Sequence, residues 1–274
     1  MKNRKKRYLS ILILIMLLIT IPIILYNYYG PGRKQIVAAN NFIKKLQSEN
    51  IIEKNRKHIK FQVVEKTGIQ KDNEIYSLIS DNYRIDLNKN YDVISFVDKI
   101  KTNSVINLTP EEGETIAKEY LLKICHGDYR VKEVNKNDLK DESPFYSIIF
   151  SKYEDGYPYY SEEVIININK NNGKLQGYVN KTKDDNHNDI KINISKANAE
   201  ENALKLFKDV GSHGKIIGKS YLAFCNKKES AYKSELAYVV NVSNGKENMI
   251  YFISSNSGKL INAFSNAVKK TKVE

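Results

Sequence analysis

Two stretches of this chain repeat one pattern: ININKNNGKL at Ile166–Leu175 and YFISSNSGKL at Tyr251–Leu260. Each reads as a strand entering a turn of Asn or Ser beside Gly, then a strand leaving it. Gly173 and Gly258 supply the positive φ that two-residue hairpin turns demand. A hairpin that returns 85 residues later means the chain is assembled from copies of one module, and this limits its folds more than any bulk property does.

The copies extend upstream. LTPEEGETIAKEYLLKIC (Leu108–Cys125) places Ile116, Ala117, Tyr120, Leu121 and Ile124 on one helical face. Thr109, Pro110 and the acidic residues after them are a helix start: N-cap, proline in the first turn, and carboxylates facing the positive end of the dipole. ISKANAEENALKLF (Ile194–Phe207) repeats the helix with Ser195 as cap, and Thr109 and Ser195 lie 86 apart. Two strand-like runs follow each helix. YRVKEV (Tyr129–Val134) matches YLAF (Tyr221–Phe224), and YSIIF (Tyr146–Phe150) matches YVVNV (Tyr238–Val242), both offset by 92. Insertions are therefore expected in DVGSHGKIIGK of the second copy and in YEDGYPYYSEE of the first, because loops absorb length changes cheaply. A divergent third copy precedes these two, with the amphipathic RKQIVAANNFIKKLQ, then IKFQVVE, IYSLI and YRIDLNKNYDVISFV. One helix with four antiparallel strands per unit predicts an α+β protein, the helix covering one face of each sheet.

The N-terminus has a different character. MKNRKKR is strongly basic, and from Tyr8 to Gly32 there is no charge. That length suits a helix crossing a hydrocarbon core of roughly 30 Å. The expectation is an uncleaved signal anchor over residues 8–29, with Tyr26, Tyr28 and Tyr29 at the far interface. A cleaved signal peptide is the competing reading, but its apolar core would be shorter and would end at a small-residue site. Basic residues 1–7 predict a cytoplasmic N-terminus and an extracytoplasmic C-terminal part. The net charge of +12 includes the five cations of this tail. The remaining excess is spread along the chain, as on a solvated surface, so nucleic acid is not expected as a partner.

Catalytic motifs are missing. His58, His126, His187 and His213 form no HExxH or HxH, and Cys125 and Cys225 form no Cys-x-x-Cys. His126 adjoins Cys125, but neighbouring helical residues point about 100° apart, whereas a nucleophile and its base must touch. The two cysteines could form one bridge in an oxidising compartment or serve as small apolar residues. Glu111, Glu112 and Glu114 belong to a helix start. Asp184, Asp185 and Asp189 lie in a polar linker without the spacing of a calcium loop. No catalytic residue, metal site or cofactor is predicted. The four N-x-[ST] sequons at Asn107, Asn180, Asn193 and Asn241 would matter only in a secretory eukaryotic host. The segment that stands out for binding is the tyrosine- and carboxylate-rich insertion. Its residues Tyr153, Glu154, Asp155, Tyr157, Tyr159, Tyr160, Glu162 and Glu163 form a candidate partner-binding loop. Tyrosine offers contact area at low entropic cost. The alternative is a hairpin whose tyrosines cap the sheet edge.

The helix opening LTPEEGETIAKEYL, the strand YSIIF and the closing INKNNGKL resemble the PepSY domain, found in peptidase propeptides and in YpeB-like modules. The tandem arrangement behind an apolar N-terminus, with YRIDLNKNYDVISF ahead of it, is similar to YcdB/YcdC repeated-domain proteins of Gram-positive bacteria. Gly113, where Ala is common, and Asn198-Ala199 in place of an acidic opening depart from the pattern. The organisation expected is a basic tail (1–7), the anchor (8–29), a divergent unit (33–104), PepSY-like units at 105–182 and 193–268, and a linker (183–192). The resemblance implies a non-catalytic, membrane-anchored protein that binds and either inhibits or stabilises a peptidase or cell-wall hydrolase. A structural envelope or spore-associated protein without an enzyme partner is the alternative.

Overall fold

The computed structural model describes residues 16–21, 30, 32–54, 59–67, 74–99, 105–135, 143–183, 186–209, 213–227 and 230–266. Residues 16–21 are helical (α1) and exposed. The rest of the anchor expected over 8–29 falls outside the described residues. Among those described, no helix is long and apolar enough to cross a membrane, so the anchor gains no support. From residue 33 the order of helix followed by four strands recurs three times, as expected of an α+β chain. First come α2 (Arg33–Ser48) and β1 (Gln62–Thr67), β2 (Ile75–Ile79), β3 (Tyr83–Leu87) and β4 (Val93–Asp98). Next are α3 (Pro110–Ile124) and β5 (Asp128–Asn135), β6 (Phe145–Glu154), β7 (Tyr157–Asn169) and β8 (Leu175–Asn180). A short β9 (Asn186–His187) precedes α4 (Lys196–Asp209), and β10 (Lys215–Ile216) follows it. Last are β11 (Tyr221–Lys227), β12 (Ser230–Ser243), β13 (Asn248–Ser254) and β14 (Leu260–Asn266).

The chain divides into two compact units, and the division falls inside α3, β6 and β7. The first holds everything up to Tyr120 together with residues 136–147 and 166–180. There β1 to β4 form an antiparallel meander, and β4 pairs antiparallel with β8 through Ser95–Val179, Phe96–Tyr178 and Val97–Gly177. Ala39, Ile43 and Leu46 of α2 are buried. Phe96, fully buried, meets Phe42 edge-on at 5.9 Å and Tyr83 at 5.5 Å. Helix α3 begins as its sequence predicts. The Thr109 hydroxyl accepts the Glu112 N–H at 3.2 Å, and Glu112 Oε2 accepts the Thr109 N–H at 2.7 Å. Gly113 has a packing reason to differ from Ala: an added Cβ would lie 2.7 Å from the Tyr146 ring.

The second unit holds residues 121–135, 148–165 and 181–274. Strands β11 to β14 make an antiparallel meander, with β9 and β10 pairing against β12. Helix α4 covers one face, where Ala199, Ala203 and Phe207 pack on Tyr238, Val240, Val242, Tyr251 and Ile253. The other face buries Ala223, Cys225, Ala237, Val239 and Phe252. Side chains alternating along β12 serve both faces, as a strand buried on two sides requires.

The two closing turns correct one expectation. They hold four residues, not two: Asn169 N–H donates to Lys174 O and Gly173 N–H to Asn169 O, as Ser254 N–H does to Lys259 O and Gly258 N–H to Ser254 O. The glycines still take positive φ, 69° and 71°. What the glycine permits is a helical turn ending left-handed, closed against the segment just before each helix. Lys170 O accepts the N–H groups of Asn107 and Leu108, and Ser255 O accepts those of Asn193 and Ile194. Asn107 Nδ2 reaches Asn171 Oδ1 at 2.7 Å, and Asn193 Nδ2 reaches Asn256 Oδ1 at 2.8 Å. Tyr146 donates to Leu108 O at 2.8 Å, and Tyr238 to Ile194 O at 3.0 Å. Asn107 and Asn193, which read as sequons, are thus clips that tie each unit's end to its beginning.

Candidate functional site

The expected partner-binding loop is not a loop. Residues 145–154 and 157–169 continue as strands, and Asp155-Gly156 joins them in a two-residue turn. Both turn residues have positive φ, 49° and 86°, which is the type I′ conformation matching strand twist. The Asp-Gly pair is itself a hairpin signal. Reading the segment as an insertion hid it, because the offset comparison treated added length as loop.

The hairpin tip distributes its side chains into two environments, both in the second unit. The first is internal. Tyr159 is buried, its ring 4.9 Å from that of Phe224 and its hydroxyl donating to Glu154 Oε2 at 2.6 Å. Tyr157 meets Phe224 edge-on at 6.2 Å. His187 stacks on the same phenyl ring at 4.3 Å, with Nε2 3.4 Å from Asp155 and 3.9 Å from Glu154. Glu162 is buried against Lys152 Nζ at 3.1 Å and accepts the Lys183 N–H at 3.4 Å. Lys152 also lies over the Tyr159 ring at 4.6 Å. Tyr159 and Glu162 therefore belong to the interior and present nothing to a partner. Glu154 and Asp155 remain exposed at the tip. The segment around His187, expected to be a polar linker, pairs in parallel with Lys233 and Ser234 of β12.

The second environment is open. Tyr153, Pro158, Tyr160 and Tyr221 line a hollow of ≈ 260 Å³ with Arg130 and Lys132 on its rim. Tyr160 and Tyr221 also border a neighbouring hollow of ≈ 200 Å³ lined by Val239, Met249 and Ile250. Arg130 sits over the Tyr153 ring at 4.2 Å, and Lys132 over Tyr160 at 5.7 Å. Glu163 holds this edge, accepting from Lys132 at 2.7 Å with Lys181 at 3.7 Å. Tyr160 is anchored edge-on to Phe252 at 4.6 Å. Burial raises the Tyr160 phenol, with Lys132 opposing. Burial also raises Tyr221, helped by Tyr160 and Tyr153. Both stay protonated near neutrality, as hydrogen-bonding groups on aromatic faces. Sequence reasoning named Tyr153, Tyr160 and Glu163 but missed Arg130, Lys132 and Tyr221. Arg130 and Lys132 alternate along β5, a pattern that shows shared orientation, yet nothing local says which strand lies opposite.

The arrangement offers stacking, hydrogen bonding and two cations. Cys225 is free, buried on the face opposite α4, and burial with Glu235 pushes its thiol up to about 12, so it is no nucleophile at neutral pH. Cys125 is also free. Among the described residues no group of His, Cys, Asp and Glu is placed to hold a metal ion. His58, Asp184 and Asp185 lie outside the described residues.

No protein-family model matches the chain, and no curated protein does. Among solved structures, the chain is similar to the Bacillus megaterium YpeB C-terminal domain. The TM-score is 0.51 at 16% identity, over 82% of this chain and 96% of that one. The likeness lies in the fold, which the two share across nearly the whole of that domain.

Proposed function

We propose that this is a non-catalytic, extracytoplasmic, membrane-anchored protein of the PepSY type, in the YcdB/YcdC repeated-domain manner. It binds a peptidase or cell-wall hydrolase and regulates it by inhibition or stabilisation. The observation that carries this reading is the open hollow of Tyr153, Tyr160 and Tyr221 rimmed by Arg130 and Lys132. Aromatic residues and arginine are what protein-binding surfaces concentrate, and no activated nucleophile accompanies them. The fold shared with the YpeB domain and the PepSY-like motifs supply the class. The charge-free run from Tyr8 to Gly32 supports the anchor.

Crosslinking pull-down of the full chain from its native envelope tests the reading, comparing wild type with the double variant Tyr153→Ala/Tyr221→Ala. A peptidase or wall hydrolase recovered with wild type, and at least about tenfold less with the variant, is the expected result. Recovery of neither enzyme class across growth and sporulation would overturn it and leave a structural envelope role. A tag at Glu274 shielded from external protease in intact wall-less cells would overturn the topology.

A further inference from the structure

We propose that β14 is a docking edge that pairs antiparallel with β14 of a second copy of this chain. Within the first unit, the fourth strand of one repeat already pairs with the fourth strand of the next, β4 against β8. Strand β14 is the fourth strand of the last repeat, and among the described residues it pairs only with β13. The offset of 85 maps Gly177, Tyr178 and Val179, the residues that receive β4, onto Asn262, Ala263 and Phe264. The two strands differ in burial as a paired and an unpaired edge should. Leu175 is 1% exposed while its counterpart Leu260 is 45% exposed, as is Phe264.

Charge distinguishes this edge from the others. Strands β1 and β5 are also edges: β1 carries Glu65 and Lys66, and β5 carries Asp128, Arg130, Lys132 and Glu133. Such charges are how edge strands avoid pairing with other chains. LINAFSN has none, in a chain with 28% charged residues, and no proline. The Ala263 N–H is held at 2.9 Å by the Asn262 side-chain oxygen, a cap that one side-chain rotation removes. Where β8 receives β4, the matching residue is Gly177, which has no side chain to move. A second copy suits this edge because a twofold register about Ala263 sets Asn262 opposite Phe264 on both sides. It brings no like charges together despite the net charge of +12.

The test is the mass of the full-length chain in mild detergent, measured by sedimentation equilibrium across a concentration series. Wild type is expected to be a dimer. Ala263→Pro, which removes an N–H and suits an edge position, is expected to weaken the dimer at least about tenfold with the far-ultraviolet spectrum unchanged. Independently, Ala263→Cys in a Cys125→Ser background should form a 263–263 disulfide on mild oxidation. A monomer at all concentrations up to about 100 μM overturns the proposal. So does a dimer that keeps its affinity in the proline variant, or one that gives no 263–263 disulfide. Failure of the enzyme pull-down leaves this test untouched, because dimerisation does not depend on that partner.

Discussion

Phe224 organises the hairpin tip, and replacing it tests whether the tip is held by packing. Its ring, 1% exposed, touches Tyr159 at 4.9 Å and His187 at 4.3 Å, and meets Tyr157 edge-on. Phe224→Ala removes the burial and leaves a cavity between β7, β9 and β11, for which buried Phe→Ala changes cost about 3–5 kcal/mol. Phe224→Leu keeps most of the apolar area and loses the ring contacts, each worth about 0.5–1.5 kcal/mol. The leucine variant should therefore lose roughly 1–2 kcal/mol and the alanine variant about 4 kcal/mol. Urea unfolding by far-ultraviolet circular dichroism measures both, and near-ultraviolet dichroism reports the tyrosines directly, since the chain has no Trp. The thermal midpoint should fall by roughly 8–16 °C for the alanine variant. If alanine cost less than about 1.5 kcal/mol, or leucine as much as alanine, the tip would be held by its backbone ladder, and the argument from stacking would fail.

The two helix caps give a paired measurement. Ser195→Ala should lose about 1 kcal/mol, and Thr109→Ala somewhat more, because Glu112 returns the hydrogen bond there and Asn198 stands in its place in the other copy. Equal losses in urea titrations would remove the capping-box term. Cys225 should resist alkylation in the folded protein at pH 8 and react on unfolding, with Cys125 the faster thiol; equal rates would contradict its burial. Its folded value, about 12, lies above the unfolded value near 9, so its effect on stability is nil below pH 9. As pH rises from 9 to 12, the unfolded state loses the proton first, and stability falls by at most about 1.4 kcal/mol per pH unit. Cys225→Ala should flatten that part of the stability curve, and an unchanged slope would refute the assignment.

Much of the architecture was legible because it rests on local signals written more than once. Thr109 and Ser195, spaced alike from their helices and from Gly173 and Gly258, named the module before any contact was known. The third copy was legible through alternation alone: at its turn, Tyr91 takes a positive φ of 67° without a glycine. The hairpin tip was misread because an insertion was equated with a loop, although Asp155-Gly156 specifies a strand reversal. The open hollow was half-legible. Tyr153 and Tyr160 stand in the segment chosen, but Tyr221, Arg130 and Lys132 reach it through strand order, which no single stretch encodes. The burial of Tyr159 and Glu162 follows from the same cause: a strand's two faces are visible in sequence, whereas the neighbour each one meets is not.

The asparagine clips also set a timetable for synthesis. Asn107 and Asn171 are separated by 64 residues, and Asn193 and Asn256 by 63. The segment that starts a repeat therefore finds its fastening only when the last hairpin of that repeat has left the ribosome. At a translation rate of about 5–20 residues per second, that is a wait of roughly 3–13 s. Each repeat is thus committed late and all at once, and a chain interrupted before its closing turn would carry a helix with nothing to latch onto.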